Sequence, residues 1–166
     1  LEGAVLAGIS AITSYQLVNG LRFARSIRRF APHIPIVWGG WHPTLMPMET
    51  LRHPLVDVVV VGQGEEILPQ LAKRALDRRS FKEVPNVLYK DTEEGVVVNP
   101  RLEVSCYPVT GTPVDGYGCV DLERYIHPQW GHRRVVGYES SRGCPFQCDF
   151  CSIGAVYRQR WHGLPA

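Results

Sequence analysis

"AVLAGISAITSYQLVNGLRFARSIRRFAPHIPIVWGG", residues 4–40, reads as a strand, a helix and a second strand. Ala4 to Ile12 is a near-continuous apolar run, the pattern of a parallel strand covered on both faces. Leu17, Leu21, Ala24 and Ile27 then recur at helical spacing, with Ser14 placed to cap the helix. Ile34 to Gly40 is a short apolar strand that ends in two glycines. The order repeats beyond it. "PMETLRH" (47–53) opens with a proline suited to a first helical turn, and "VDVVVVG" (56–62) is a third strand. "GEEILPQLAKRALDRR" (64–79) sets Leu68, Leu71, Ala72, Ala75 and Leu76 on one helical face. Pro69 is tolerable there if it sits near the first turn, where few backbone donors are needed. Such alternation predicts a doubly wound α/β layer on a parallel sheet, with its binding edge at the carboxyl ends of the strands. Those ends carry Ser10 and Ile12, then "GGWHPT" (39–44), then "GQGEE" (62–66).

From Phe81 the pattern changes. "NVLYKDTEEGVVVNP" (86–100) predicts a hairpin turned by Asp, Glu and Gly, and the Pro- and Gly-rich "YPVTGTPVDGYGCVDLERYIHPQW" (107–130) reads as a surface connector. Arg133 to Ser141 reads as one more strand, leading into "SSRGCPFQCDFCSIG" (140–154). The expected organisation is therefore an α/β domain over 1–80, a hairpin and connector over 81–132, and the start of a further domain over 133–166.

Composition narrows the class. Hydrophobic residues make up 45% and charged residues 20% of the 166, which suits a globular chain with a real core. A net charge of +2 is too small for a dedicated nucleic-acid or anionic-membrane surface, so nucleic acid is not an expected partner. The local basic stretch "RFARSIRRF" (22–30) reads as a solvated helix face. No apolar run approaches the roughly 18–20 residues of a membrane span. Five cysteines, three of them clustered, suit metal binding in a reducing compartment better than a disulfide framework, which points to the cytoplasm. The chain begins at Leu1 and is expected to be a fragment.

Cys144, Cys148 and Cys151 form C-x3-C-x2-C, and three thiolates on one tight loop can face a common centre. Soft sulfur ligands select iron-sulfur clusters, zinc or copper(I). Zinc would need a fourth, closing ligand, for which His132 or His162 is at hand. Cys106 and Cys119 have no partners at ligand spacing and read as structural or incidental. At the strand ends, Gly39, Gly40, Gly62 and Gly64 let a ligand approach the backbone. Glu65 and Glu66 there serve a ligand or simply complement a helix dipole, and His42 is a ligand-contacting or merely polar loop residue.

"SSRGCPFQCDFC" resembles the cluster loop of the radical S-adenosylmethionine (radical SAM) superfamily, Phe150 included. The resemblance implies that Cys144, Cys148 and Cys151 hold three irons of a [4Fe-4S] cluster whose fourth iron takes S-adenosylmethionine, with the backbone beside Phe150 near the adenine. It further implies reductive cleavage to a 5'-deoxyadenosyl radical, an electron donor such as flavodoxin or ferredoxin, a small-molecule substrate, and a loop placed after the first strand of a TIM-like barrel. Gly8 to Ile12, the paired Gly39 and Gly40 with 28 residues between Ser10 and Gly39, and "GQGEE" together resemble the cobalamin (B12)-binding domain that precedes many such cores, a flavodoxin- or Rossmann-like parallel sheet. That likeness implies Ser10 near the dimethylbenzimidazole tail of the cofactor and the paired glycines lining its channel. The D-x-H-x-x-G loop, source of the lower axial histidine in many members, is not among these residues. The reading that follows is a piece of a cobalamin-dependent-type radical SAM enzyme, for methyl transfer or another radical transformation. A radical SAM methylthiotransferase acting on RNA is the alternative enzyme, disfavoured by the single cysteine set and near-balanced charge. A non-catalytic corrinoid- or nucleotide-binding module with a structural metal site is the alternative without chemistry.

Overall fold

The computed structural model describes residues 2–102 and 116–163, and the chain divides into two compact units, Leu1–Val104 and Ser105–Ala166. Cys106 lies outside the described residues. The first unit is built on one five-stranded sheet in the order β1 (Ala7–Ser10), β2 (Ile36–Gly39), β3 (Val58–Val60), β4 (Val87–Asp91), β5 (Gly95–Val98). The first three strands are parallel, and β4 and β5 continue the sheet antiparallel. Four helices complete it: α1 (Tyr15–Phe30), α2 (Trp41–Leu45), α3 (Pro47–Arg52) and α4 (Ile67–Leu76).

The two-residue period of the strands sorts the core onto two faces. Ile36, Trp38 and Val59 point to the side covered by α1 and α3, where Leu17, Leu21, Ala24, Ile27, Met48 and Leu51 pack on them. Val37, Val58 and Val60 point the other way, onto Ile67 and Leu71 of α4. Burial on both faces explains why β2 and β3 read as unbroken apolar runs. Helices on both faces of a parallel-rich sheet are the α/β architecture that the strand-helix alternation predicts.

Trp38 shapes its neighbour on α1. A Cβ on Gly20 would lie 2.7 Å from the Trp38 ring, so a mid-helix glycine, costing about 1 kcal/mol of helix propensity, makes room for the indole. Pro47 opens α3 as expected, and Pro69 is the third residue of α4, where its missing N–H has no intrahelical acceptor.

Several local expectations are corrected. β1 is an edge strand with half-exposed alternation rather than a strand covered on both faces, and no strand pairs with its outer side among the described residues. Ser14 makes no capping bond from its side chain; the Gln16 side chain instead accepts the Ile12 N–H at 3.0 Å. On α4 the buried pair is Ile67 and Leu71, while Leu68 and Leu76 are exposed, because the valines of the sheet meet the 67/71 edge of the helix. The 86–100 hairpin forms as expected, but it extends the sheet of the first unit past residue 80 through pairing of β4 with β3.

The second unit carries much less core; among its described residues Val156 is the one buried hydrophobic side chain. A turn of 3-10 helix at Leu122–Tyr125 precedes a hairpin of β6 (His127–Gln129) and β7 (His132–Val135). Trp130 and Gly131 join these strands, both with positive φ, as a twisted two-residue turn requires. The single strand expected over Arg133 to Ser141 is therefore split. Its first part pairs with β6, and its end forms β8 (Ser141–Gly143), antiparallel to β9 (Trp161–Gly163). Between β8 and β9 lie the cysteines and a short helix, α5 (Ile153–Tyr157).

Candidate functional site

In the first unit the carboxyl ends of β1, β2 and β3 form a rim made mostly of backbone. Ser10 pairs with Gly39 at the last rung of the β1–β2 ladder, and its side chain is exposed. Gly40 follows at φ 92°, and a Cβ there would sit 2.8 Å from Ser10 Oγ and 2.9 Å from the Ala11 backbone. No other residue type fits that turn without moving β1. Around Gly39 and Gly64 the space is open: an added Cβ would meet nothing nearer than Val60 at 4.0 Å in the first case and nothing within 4 Å in the second. Gly62, at φ 85°, begins the β3–α4 loop, and Glu65 is exposed just before α4. The sequence-derived residues Ser10, Gly39, Gly40, His42, Gly62, Gly64 and Glu65 thus lie at one end of one sheet, on the strand ends and on the loops and short helix that follow them.

Thr13 and Thr44, not singled out by sequence, help His42 bind these loops together. His42, in the first turn of α2, donates its backbone N–H to Ala11 O at 3.1 Å, and its Nδ1 is hydrogen-bonded to Thr13 Oγ1 at 3.1 Å. Thr44, two residues on, accepts the Gly62 N–H on its Oγ1 at 3.0 Å. Thr13 and Thr44 carried no pattern of their own. The only available cue was the position of Thr44 in "GGWHPT".

The opposite pole of the same sheet holds a concavity of about 250 Å³ lined by Arg28, His33, Ile34, Pro35, Asp57, Val58, Phe81 and Lys90. Its central groups are already engaged within the fold. Arg28 donates to Asp57 and, at 2.8 Å, to Pro32 O, and Asp57 accepts the Ile36 N–H. Lys90 Nζ donates to His53 O and Val56 O, both at 2.7 Å, and burial pushes its pKa below the usual lysine value. The cluster fastens α1 and the α3–β3 turn to the sheet.

In the second unit the three cysteines follow β8 directly. Gly143, at φ 81°, brings the chain so close to β9 that a Cβ would fall 2.0 Å from Arg160 O, and the Cys144 N–H donates to that same carbonyl at 3.0 Å. The Cys151 N–H donates to Cys148 O at 3.0 Å, so the last two cysteines share one turn. All three are free thiols: Cys148 is exposed, Cys144 and Cys151 partly so. Phe150 is 93% exposed and Phe146 70% exposed, so this loop presents two largely exposed rings. Among the described residues no three His, Cys, Asp or Glu side chains converge into a metal-ligand group. The three cysteines share a loop, but their side chains do not meet at one point. Three thiol donors on one loop remain a donor set suited to an iron-sulfur cluster by its chemistry. Cys119, exposed in the same unit, takes no part in this loop.

Residues 2–72 match the family model described as the B12 binding domain. Over 159 residues the chain is 30% identical to an uncharacterized methyltransferase of Pyrococcus horikoshii, covering 95% of this chain and 33% of that protein. It is 29% identical over 164 residues to the cobalamin-dependent radical SAM methyltransferase TokK of Streptomyces tokunonensis, covering 93% of this chain and 23% of that one. In fold it is similar to TsrM of Kitasatospora setae, a radical S-adenosylmethionine methyltransferase solved with cobalamin and a [4Fe-4S] cluster bound. That likeness has a TM-score of 0.62 at 21% identity and covers 97% of this chain and 33% of that one. The chain thus spans about a third or less of the proteins to which it is similar. No helix among the described residues is long and apolar enough to cross a membrane.

Proposed function

We propose, from the premise that residues 2–72 belong to the B12 binding domain family, that this chain is the corrinoid-holding and cluster-carrying part of a cobalamin-dependent radical SAM methyltransferase. The observation that carries the reading is the bare rim at the strand ends of that domain, where Gly39 and Gly64 leave open space and Ser10 is exposed beside them. A large cofactor with a polar tail needs such a surface, with close access to backbone and few side chains in the way. Cys144, Cys148 and Cys151 supply three thiolate donors on one loop, and the exposed Phe150 offers a ring face for the adenine of S-adenosylmethionine. When bound, the cluster would supply an electron to S-adenosylmethionine and the corrinoid would carry a methyl group. The chain's own residues would position both. The names of the relatives support methyl transfer; a small-molecule substrate, an electron donor such as flavodoxin or ferredoxin, and a reducing cytoplasmic setting complete the proposal.

The test uses the whole protein, reconstituted anaerobically, with iron, sulfide and corrinoid content measured and S-adenosylmethionine cleavage assayed beside Cys148→Ala. Bound corrinoid, iron and sulfide in the proportions of a [4Fe-4S] cluster, and cleavage lost in the variant are the expected results. Zinc in place of iron, with no cleavage, would show a structural metal site and overturn the enzymatic reading.

A further inference from the structure

The rim is held at fixed spacing by one short element. α2, only Trp41–Leu45, reaches three strand-end loops at once: it grows out of the β2 end at Gly40, bonds the β1 end through His42, and bonds the β3 end through Thr44. The Thr44 N–H also closes onto Gly40 O at 3.1 Å, so the threonine is fixed at both its backbone and its hydroxyl. Strain lies in the same place. Ser14, the residue after Thr13, has φ 117° and ψ −150°, a conformation nearly restricted to glycine and one that persists only where the surroundings enforce it.

We infer that Thr44 and Thr13 are positioning residues for corrinoid binding: through α2 they preset the distances between the three loops, so that the rim has its bound shape before the cofactor arrives. This rests on the corrinoid reading given above. A site already shaped loses less freedom on binding, and the gain appears as affinity. Neither residue need touch the ligand. The hydroxyl of Thr44 is spent on Gly62, whose N–H would otherwise face the loop without that partner.

The experiment titrates hydroxocobalamin into the whole protein and its variants, following the visible corrinoid spectrum. Thr44→Val keeps the shape and removes the acceptor, and it should weaken binding by about tenfold, the scale of one hydrogen bond. Thr44→Ser, which restores the hydroxyl, should return to within about twofold of the parent on the same scale. Thr13→Val, at an exposed position, should weaken binding in the same direction. Hydrogen exchange at Gly62 supplies a readout independent of ligand: its amide should be protected in the parent and exchange faster in Thr44→Val. Parent binding with Thr44→Val unchanged would overturn this role and leave the corrinoid reading standing, as would a Thr44→Ser variant no better than the valine. An unprotected Gly62 amide in the parent would overturn it without any reference to ligand. A parent that binds no hydroxocobalamin would remove the corrinoid reading, and this role with it.

Discussion

Two residues at the rim are related by opposite steric demands. Gly40 sits where any side chain would strike Ser10 and Ala11, so a glycine is required by space as well as by its positive φ. Ser14 has a backbone conformation that suits glycine, yet nothing near it demands the serine, whose side chain makes no cap bond. Releasing strain of about 1–3 kcal/mol against a glycine entropy cost of about 0.5–1 kcal/mol predicts that Ser14→Gly raises stability by about 1 kcal/mol. Urea titration with unchanged slope checks this, and a lowered midpoint would show that the observed φ is not strained. Of this residue-scale detail, the sequence disclosed the paired glycines and the cysteine spacing, because both depend on neighbours in the chain. It did not disclose Thr13 and Thr44, whose partners lie 29 and 18 positions away.

Elements were legible where their pattern is local. The βαβ order of residues 4–40 was readable because helical and strand periods differ over a dozen residues, and the 86–100 hairpin because Asp91 and Gly95 mark its turn. The split of the stretch around Arg133 to Ser141 was not, since the partner of β8 is β9, about twenty residues away and beyond the cysteines. The hairpin turn carries its own pH signature. Asp91 Oδ1 accepts the N–H groups of Glu94 and Glu93, at 3.1 and 2.8 Å, and these bonds hold its carboxyl below the usual aspartate pKa. A carboxylate depressed in the folded state contributes its stability in full above the unfolded pKa of about 3.9 and loses it as pH falls through the folded value. The hairpin should therefore loosen only in acid. NMR titration of the Glu93 and Glu94 amides should give a midpoint below that of a free aspartate, and Asp91→Asn should flatten the transition; a midpoint at or above about 3.9 would contradict the turn geometry.

At the scale of the molecule, stability and the proposed corrinoid rim fall on the same sheet. Nineteen of the twenty buried hydrophobic residues described belong to the first unit, and Val156 alone to the second. The amides slowest to exchange should accordingly lie in β2 and β3, whose residues from Ile36 to Trp38 and from Val58 to Val60 are all buried, since such amides exchange only when the whole unit opens. Those strands also end at the rim. A ligand that binds the folded unit and not the unfolded one reduces the opening equilibrium by the factor 1 + [L]/Kd, so a corrinoid present at about 100 times its Kd should slow exchange of the Ile36–Trp38 and Val58–Val60 amides by about 100-fold. The slowing should appear throughout the core rather than at the loops alone, because global opening is what the ligand suppresses. Protection confined to the loop amides at the strand ends would mean that the core already exchanges by local openings that leave the rim intact. No change at either place would mean that the sheet holds no corrinoid, and the glycine rim would then be a feature of chain packing alone.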